Sequence, residues 1–328
     1  MLVLGILLMM LILLCAGMPL VFAMGASSLV YMYFGDIDFA LLAQRMTTSA
    51  NSFVILAIPF FYFAGELMNA CKLTERIVTL SKALVGHIHG GLAQVNIVAS
   101  MIFAGLSGSA TADTAALGSV LIPAMKKDGY PAAFSAAVTV ASATVGPIIP
   151  PSIAMVIYGA LADVSIGRLL LAGILPGLTI IATQMVFTWF LARKKGFPRY
   201  PRATHKEVAV AVYRGSPAVL FPVIIVVGIM SGIFTPTEAA AVAVLYGLIL
   251  GMVVYRNVGL KEFWHTMLNV VWGSVRILII VAAASCFSWI MLREQVPQAI
   301  ASALFAVTDR PIIVLFLLSG FLLLVGLF

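Results

Sequence analysis

Charge is what this sequence has least of. Only 9% of its 328 residues are Asp, Glu, Lys or Arg, against 62% that are hydrophobic, and the first 35 carry no charged side chain. A water-soluble domain of this size needs far more polar surface, so a soluble fold is excluded. A mean hydropathy of +1.14 identifies a polytopic membrane protein, in which helices of roughly 20 apolar residues span the bilayer. No basic residue precedes the first apolar run, which argues against a cleaved signal peptide. Cys15, Cys71 and Cys286 are scattered through apolar segments without metal or disulfide spacing, so core packing is their expected role. The sequence shows no phosphate-binding loop, metal cluster or basic stripe for nucleic acid.

The scarce charges mark the ends of segments. The chain is expected to cross first over residues 1–34, tilted or kinked near Gly17-Met18-Pro19, and to emerge at Asp36 and Asp38. It returns through 50–70 to an interfacial stretch holding Lys72, Arg76 and Lys82. Residues 94–125 follow, flanked at both ends by basic residues and so read as a re-entrant hairpin (94–127 with its flank). Residues 132–161 and 169–192 then cross out and back. The polar segment 196–214 connects two halves, and 216–234, 237–255 and 270–292 cross again. On this path all basic residues except Arg45, Arg168, Arg293 and Arg310 share one face, which the positive-inside rule makes cytoplasmic.

Two interruptions fall inside these apolar segments. The first reads Gly105-Leu106-Ser107-Gly108-Ser109-Ala110-Thr111-Ala112-Asp113 and the second Gly146-Pro147-Ile148-Ile149-Pro150-Pro151-Ser152. Irregular backbone at membrane depth persists only where it is buried in protein or lines a cavity. Paired breaks of this kind point to a site for an ion or a small polar solute. Proline lacks an N–H and frees the carbonyl four residues earlier, so Pro147, Pro150 and Pro151 are expected to release those of Ala143, Gly146 and Pro147. Carbonyls together with the hydroxyls of Ser107, Ser109 and Thr111 are what a dehydrated alkali cation needs. Half-helix N-termini beyond each break can face an anionic substrate.

Each of these residues also has a plainer reading. Gly105 with Ser109, and Gly108 with Ala112, are small-residue pairs that serve helix packing equally well. Asp113 either touches a cation or caps the returning half-helix beside Thr111. Glu66 and Arg276, near the ends of their spans, are expected to snorkel or make structural hydrogen bonds. Thr235-Pro236-Thr237-Glu238 reads as a helix start, with Thr235 as N-cap, Pro236 at N1 and Glu238 at N3.

The second half appears in the same order with opposite orientation. Residues 1–195 read as a first repeat holding the hairpin and the broken helix, and 215–328 as a second, inverted repeat. Its last apolar segment begins after Asp309-Arg310-Pro311 and runs to Phe328 without a polar close. Truncation before a second hairpin and a second broken helix is therefore expected. Inverted repeats mark secondary transporters.

At these residues the chain resembles the large membrane subunit of the tripartite ATP-independent periplasmic (TRAP) transporters. The resemblance runs along the whole sequence. It is most specific in residues 105–116, 141–159, 171–177 and 232–241. It implies a prokaryotic inner-membrane, multi-pass, elevator-type transporter that uses sodium to import an organic acid anion, such as a C4-dicarboxylate or sialic acid. It further implies a periplasmic substrate-binding protein and a small membrane subunit as partners, no organic cofactor, and no enzymatic activity. Carried onto this sequence, the sodium site involves Ser107, Gly108, Ser109, Gly146, Ile149 and Pro150. Thr111, Asp113 and Ser152 are the accompanying candidates for substrate contact.

Two rivals remain at the level of sequence. Gly105-Leu106-Ser107-Gly108 matches the shape around the nucleophile of rhomboid intramembrane proteases, which needs a histidine base within hydrogen-bond reach. A passive channel is the other.

Overall fold

The computed structural model describes residues 2–308 and 310–326, and all their regular structure is helical. Met1, Asp309, Leu327 and Phe328, which entered the expected limits of the first and last spans, lie outside the described residues. By packing, the chain divides into two compact units, residues 53–274 and the two flanking segments taken together.

The flanking unit contains α1 (Leu2–Cys15), α2 (Leu20–Phe34), α3 (Ala40–Ala50), the later part of α13 (Leu260–Arg293), α14 (Val296–Val307) and α15 (Pro311–Val325). Ile6, Tyr31, Met32, Cys286 and Ile290 form its buried cluster. Ile6 lies far from the turn on α1, and Tyr31 and Met32 equally far on α2. A single kinked crossing would hold them some 35 Å apart, at about 1.5 Å per residue. The expected crossing over 1–34 is therefore corrected to two helices folded back on each other. Pro19 opens α2 at ψ 141, and Gly17, at φ +84, makes the reversal. Cys286 is buried as expected, but Cys15 is exposed.

The central unit begins with α4 (Ala57–Ala70) and the amphipathic α5 (Leu73–Val85). Next come α6 (Gly91–Ser107), α7 (Ala110–Lys127), α8 (Ala132–Ala143) and α9 (Ile153–Leu161). The long helices α10 (Ile166–Lys195) and α11 (His205–Met230) follow, and α12 (Pro236–Leu248) runs on into a π-helical turn (Ile249–Val254). Its core joins α6, α7, α8 and α10 through Leu92, Ile97, Met125, Val138 and Ile181. The polar connection after α10 is not a loose linker. The Phe197 ring packs tilted against those of Tyr130 and Phe134, with centroids 4.7 and 4.9 Å away, and the Tyr200 hydroxyl donates to the Asp128 carboxylate. Burial, then that hydrogen bond, push the Tyr200 phenol above its usual range. The helix start at Thr235 is as expected: Glu238 N–H donates to the Thr235 hydroxyl at 3.3 Å, and the Glu238 carboxylate accepts from Thr235 N–H at 2.8 Å.

Among the described residues, four helical stretches are long and apolar enough to cross a bilayer: α10, α11, α12 with its π turn, and α13. Their outer faces carry Leu175, Phe187, Phe190 and Trp272, each at least 62% exposed. Such faces are unfavourable in water and suited to hydrocarbon. The chain is thus an all-α, multi-pass membrane protein in architecture.

Candidate functional site

The hairpin forms because its tip residues cannot continue a helix. Gly108 adopts φ +60, a left-handed conformation that glycine reaches without steric cost, and its N–H returns to the Ala104 carbonyl at 3.1 Å. Ser109 is extended, and its hydroxyl accepts the Ala112 N–H at 3.5 Å, opening α7. The cap of the returning helix is therefore Ser109, not Asp113 beside Thr111. α7 runs back along α6: Asn96 Nδ2, near the base of one arm, lies 3.8 Å from Met125 Sδ near the base of the other.

α8 stops at Ala143, and residues 144–152 form the expected interruption before α9. Ser152 ends it as the N-cap of α9, accepting Met155 N–H at 3.3 Å and donating to the Pro147 carbonyl at 2.5 Å. Not all the expected carbonyls are free. Ala143's accepts Gly146 N–H at 2.9 Å, and Pro147's is taken by Ser152. Those of Gly146, Ile149 and Pro150 accept no hydrogen bond among the described residues.

The two interruptions meet. A Cβ built on Gly108 would lie 2.9 Å from the Pro151 carbonyl oxygen and 3.2 Å from Ile153 N, so only glycine lets the tip approach the break this closely. A Cβ on Gly146 would lie 2.8 Å from Asp113 Oδ2 and 3.1 Å from Ala110 N. Gly105 faces the Pro222 ring of α11 and the Pro150 carbonyl. On the far side, Gly173 and Gly177 of α10 take the other edge of the break. A Cβ on Gly173 would collide with the Ile148 carbonyl, and one on Gly177 would lie 2.5 Å from Ile149 Cγ1.

A buried polar seam fastens the hairpin to α8. Asn96 Nδ2 donates to Thr139 Oγ1 at 2.6 Å, and the Ser100 and Ser142 hydroxyls are 2.8 Å apart, all four residues being fully buried. Satisfied networks of this kind hold two elements in one register. Sequence reading did not single out these residues, although Asn96 inside an apolar arm was the available signal.

Within the tip, the Ser107 hydroxyl donates to Asp113 Oδ1 and accepts Ser109 N–H at 3.1 Å. Asp113 is fully buried, and its Oδ2 has no hydrogen-bond partner. A buried carboxylate oxygen is costly unless something compensates it. This oxygen and the free carbonyls of the break are all hard oxygen donors, a chemistry that suits an alkali cation and not a transition metal. No cluster of three or more His, Cys, Asp or Glu suited to a metal occurs among the described residues.

Beside the tip lies a cavity of about 380 Å³, between the hairpin and α4. Ser107, Ser109 and Thr111 line one wall, with the Ser109 and Thr111 hydroxyls 3.0 Å apart. Tyr62, Glu66 and Asn69 of α4 line the other. Gly65 allows this approach, since a Cβ there would lie 3.1 Å from the Leu106 carbonyl oxygen. Glu66 therefore does not simply snorkel; it faces the tip. Asp113 and Ser152 are buried behind the cavity and do not line it, so of the three candidates for substrate contact only Thr111 reaches it.

The family model for the DctM component of tripartite ATP-independent periplasmic transporters matches residues 7–328. The chain belongs to this family. It is 41% identical over 319 residues to the sialic acid TRAP transporter large permease protein SiaM of Vibrio cholerae, covering 96% of this chain and 74% of that one. It is 38% identical to the 2,3-diketo-L-gulonate TRAP transporter large permease protein YiaN of Escherichia coli, covering 95% and 73%. With the C4-dicarboxylate TRAP transporter large permease protein DctM of Pseudomonas aeruginosa it shares 37%, covering 92% and 71%. As a TRAP large permease the chain is a transport protein and not an enzyme. The protease alternative falls accordingly: the Ser107 hydroxyl is held by Asp113 and Ser109, with no histidine bonded to it among the described residues.

Proposed function

We propose that this permease couples sodium to the import of an organic acid anion across a prokaryotic inner membrane. Sodium binds where the hairpin tip meets the broken helix. Ser107 and Ser109 offer oxygens from the tip, with Gly108 as the turn that brings them close. Gly146, Ile149 and Pro150 offer carbonyls from the break, and Asp113 supplies the charge that compensates the cation. The observation that carries this reading is the unpartnered Asp113 Oδ2, fully buried and held against Gly146. The substrate reaches into the adjoining cavity against Thr111, on the side of the tip facing α4. The three relatives are named for sialic acid, 2,3-diketo-L-gulonate and C4-dicarboxylates, all carboxylates, and an anion of that class is the substrate proposed here.

A periplasmic binding protein delivers the substrate, and a small membrane subunit stands beside the permease. The hairpin is re-entrant, opening and closing on the cytoplasmic side, and an inverted second repeat completes an elevator in which hairpin and broken helix move together. The seam from Asn96 to Thr139 and from Ser100 to Ser142 supports movement as one body, because it ties one element to the other. The complete transporter in proteoliposomes, with its binding protein present, tests the reading. An imposed inward sodium gradient should drive accumulation of the acid above its outside concentration. Equilibration without accumulation would make the protein a passive channel.

A further inference from the structure

The cavity beside the hairpin tip has a chemical bias that narrows the substrate. Tyr62, Glu66 and Asn69 recur at helical spacing on one face of α4, and the Ser109 and Thr111 hydroxyls stand across from them. No lysine, arginine or histidine lines this cavity among the described residues, whereas Glu66 brings a carboxylate into it. That carboxylate has no hydrogen-bond or ion-pair partner among the described residues, and it is half-buried. An ionised carboxylate is an acceptor only, and its hydrogen bonds to O–H donors are the strong, charge-assisted kind. A second substrate carboxylate placed here would meet like charge in a poorly screened site.

We propose that this cavity receives the hydroxyl-bearing part of a polyhydroxylated monocarboxylate, with Glu66 accepting substrate O–H groups and disfavouring a second carboxylate. The inference rests on the reading of the protein as an organic-acid importer and names the substrate class within it. Thr111 and Asn69 complete the wall, since each can donate or accept and so match hydroxyls in either orientation. Discrimination follows from both sides. The wanted substrate satisfies Glu66, and a plain dicarboxylate leaves it unsatisfied and repelled.

The test uses the complete transporter, purified in detergent with sodium present, and reads apparent affinity from thermal-shift titrations. D-gluconate and N-acetylneuraminate serve as hydroxylated monoacids, and succinate and fumarate as dicarboxylates. At least one monoacid should bind at least about tenfold more tightly than either dicarboxylate, well below the most that a hydrogen-bonding site can discriminate. Glu66→Gln should bring the two classes near parity. Thr111→Val keeps the side-chain shape, and should weaken the monoacid while leaving the dicarboxylates unmoved. This second variant decides the matter where Glu66→Gln does not fold. A wild-type preference for a dicarboxylate, or an unchanged preference in the variants, overturns the proposal. So does a Glu66→Gln variant that alters sodium dependence alone. If no acid of either class shifts a sample that still responds to sodium, the organic-acid reading itself fails, which is a separate result.

Discussion

The free carboxylate oxygen of Asp113 lies so close to Gly146 that a Cβ on Gly146 would come within 2.8 Å of it. One residue belongs to the hairpin and the other to the break, so this contact joins the two interruptions. Gly146→Ala is expected to push them apart, because the next atoms in the way, Ala110 N and the Ser109 carbonyl carbon, are backbone. Overpacking of this kind costs about 1–3 kcal/mol. The sodium concentration for half-maximal uptake should rise in Gly146→Ala, and in Asp113→Asn, which keeps the shape and removes the charge. Unchanged sodium dependence in both, at wild-type expression, would separate this contact from the ion.

Ser107 and Ser109 are predicted to fail in different ways. Ser109 is the N-cap of α7, and losing a serine cap costs about 1 kcal/mol. Ser109→Ala should therefore lower the melting temperature as well as weaken sodium dependence. Ser107→Ala removes the donor to Asp113 Oδ1, leaving that buried carboxylate with less support. Its main effect should be on sodium dependence, with melting nearly unchanged in saturating sodium. Identical behaviour of the two variants in both measurements would contradict these separate roles.

How much of this was legible beforehand differs from residue to residue. The breaks were, because Gly108 and the prolines act locally and fail to continue a helix wherever they stand. The meeting of the breaks came from the resemblance and not from the local pattern, since it depends on Gly105 and Gly108 receiving the backbone of Pro150 and Pro151, residues some forty positions away. The cap assignment at Asp113 failed because Ser109 reaches the extended geometry four residues sooner. Glu66 was misjudged for a similar reason. Its distance along the helix suggested an interfacial residue, whereas Gly65 brings that face of α4 against the tip. The run before Asp36 shows the same limit: an uncharged stretch containing Gly17 and Pro19 permits both a kink and a reversal, and the packing of Ile6 with Tyr31 and Met32 selects the reversal.

The polar seam predicts a stability effect at a distance from the proposed ion site. Asn96→Ala leaves Thr139 without its 2.6 Å partner in a fully buried setting. Thr139 keeps its 2.8 Å donation to the Ser135 carbonyl, so the cost is that of one lost buried hydrogen bond, about 0.5–1.5 kcal/mol, and a measurable drop in melting temperature is expected. Sodium dependence should move little at temperatures where the variant remains folded. A variant as stable as wild type would mean the seam contributes nothing to fastening the hairpin.

Sidedness is predicted from the hairpin geometry together with its flanking charges. Single cysteines at Leu84 and Lys127, both exposed, should react with an impermeant thiol reagent from the cytoplasmic side alone. The background needs the exposed Cys15 replaced by Ser, while Cys71 and Cys286 are buried. Labelling of the two positions from opposite sides would make the segment a single crossing and remove the basis for an inverted repeat.

The last prediction concerns the helix that backs the break. Gly173 and Gly177 stand one turn apart on α10, and Ile148 and Ile149 of the break rest on them. A Cβ at Gly173 meets the Ile148 carbonyl, a backbone atom that moves only if the break moves. At Gly177 it meets Ile149 Cγ1 and Cδ1, side-chain atoms that can turn away. Gly173→Ala should therefore displace the carbonyls of the break and raise the sodium requirement. Gly177→Ala should be milder, with both variants paying an overpacking cost of about 1–3 kcal/mol. Uptake at graded sodium, read alongside thermal melting in detergent, distinguishes the two. Equal loss of melting stability with sodium dependence intact in both would make α10 a passive support, and the placing of the break would then owe nothing to this glycine pair.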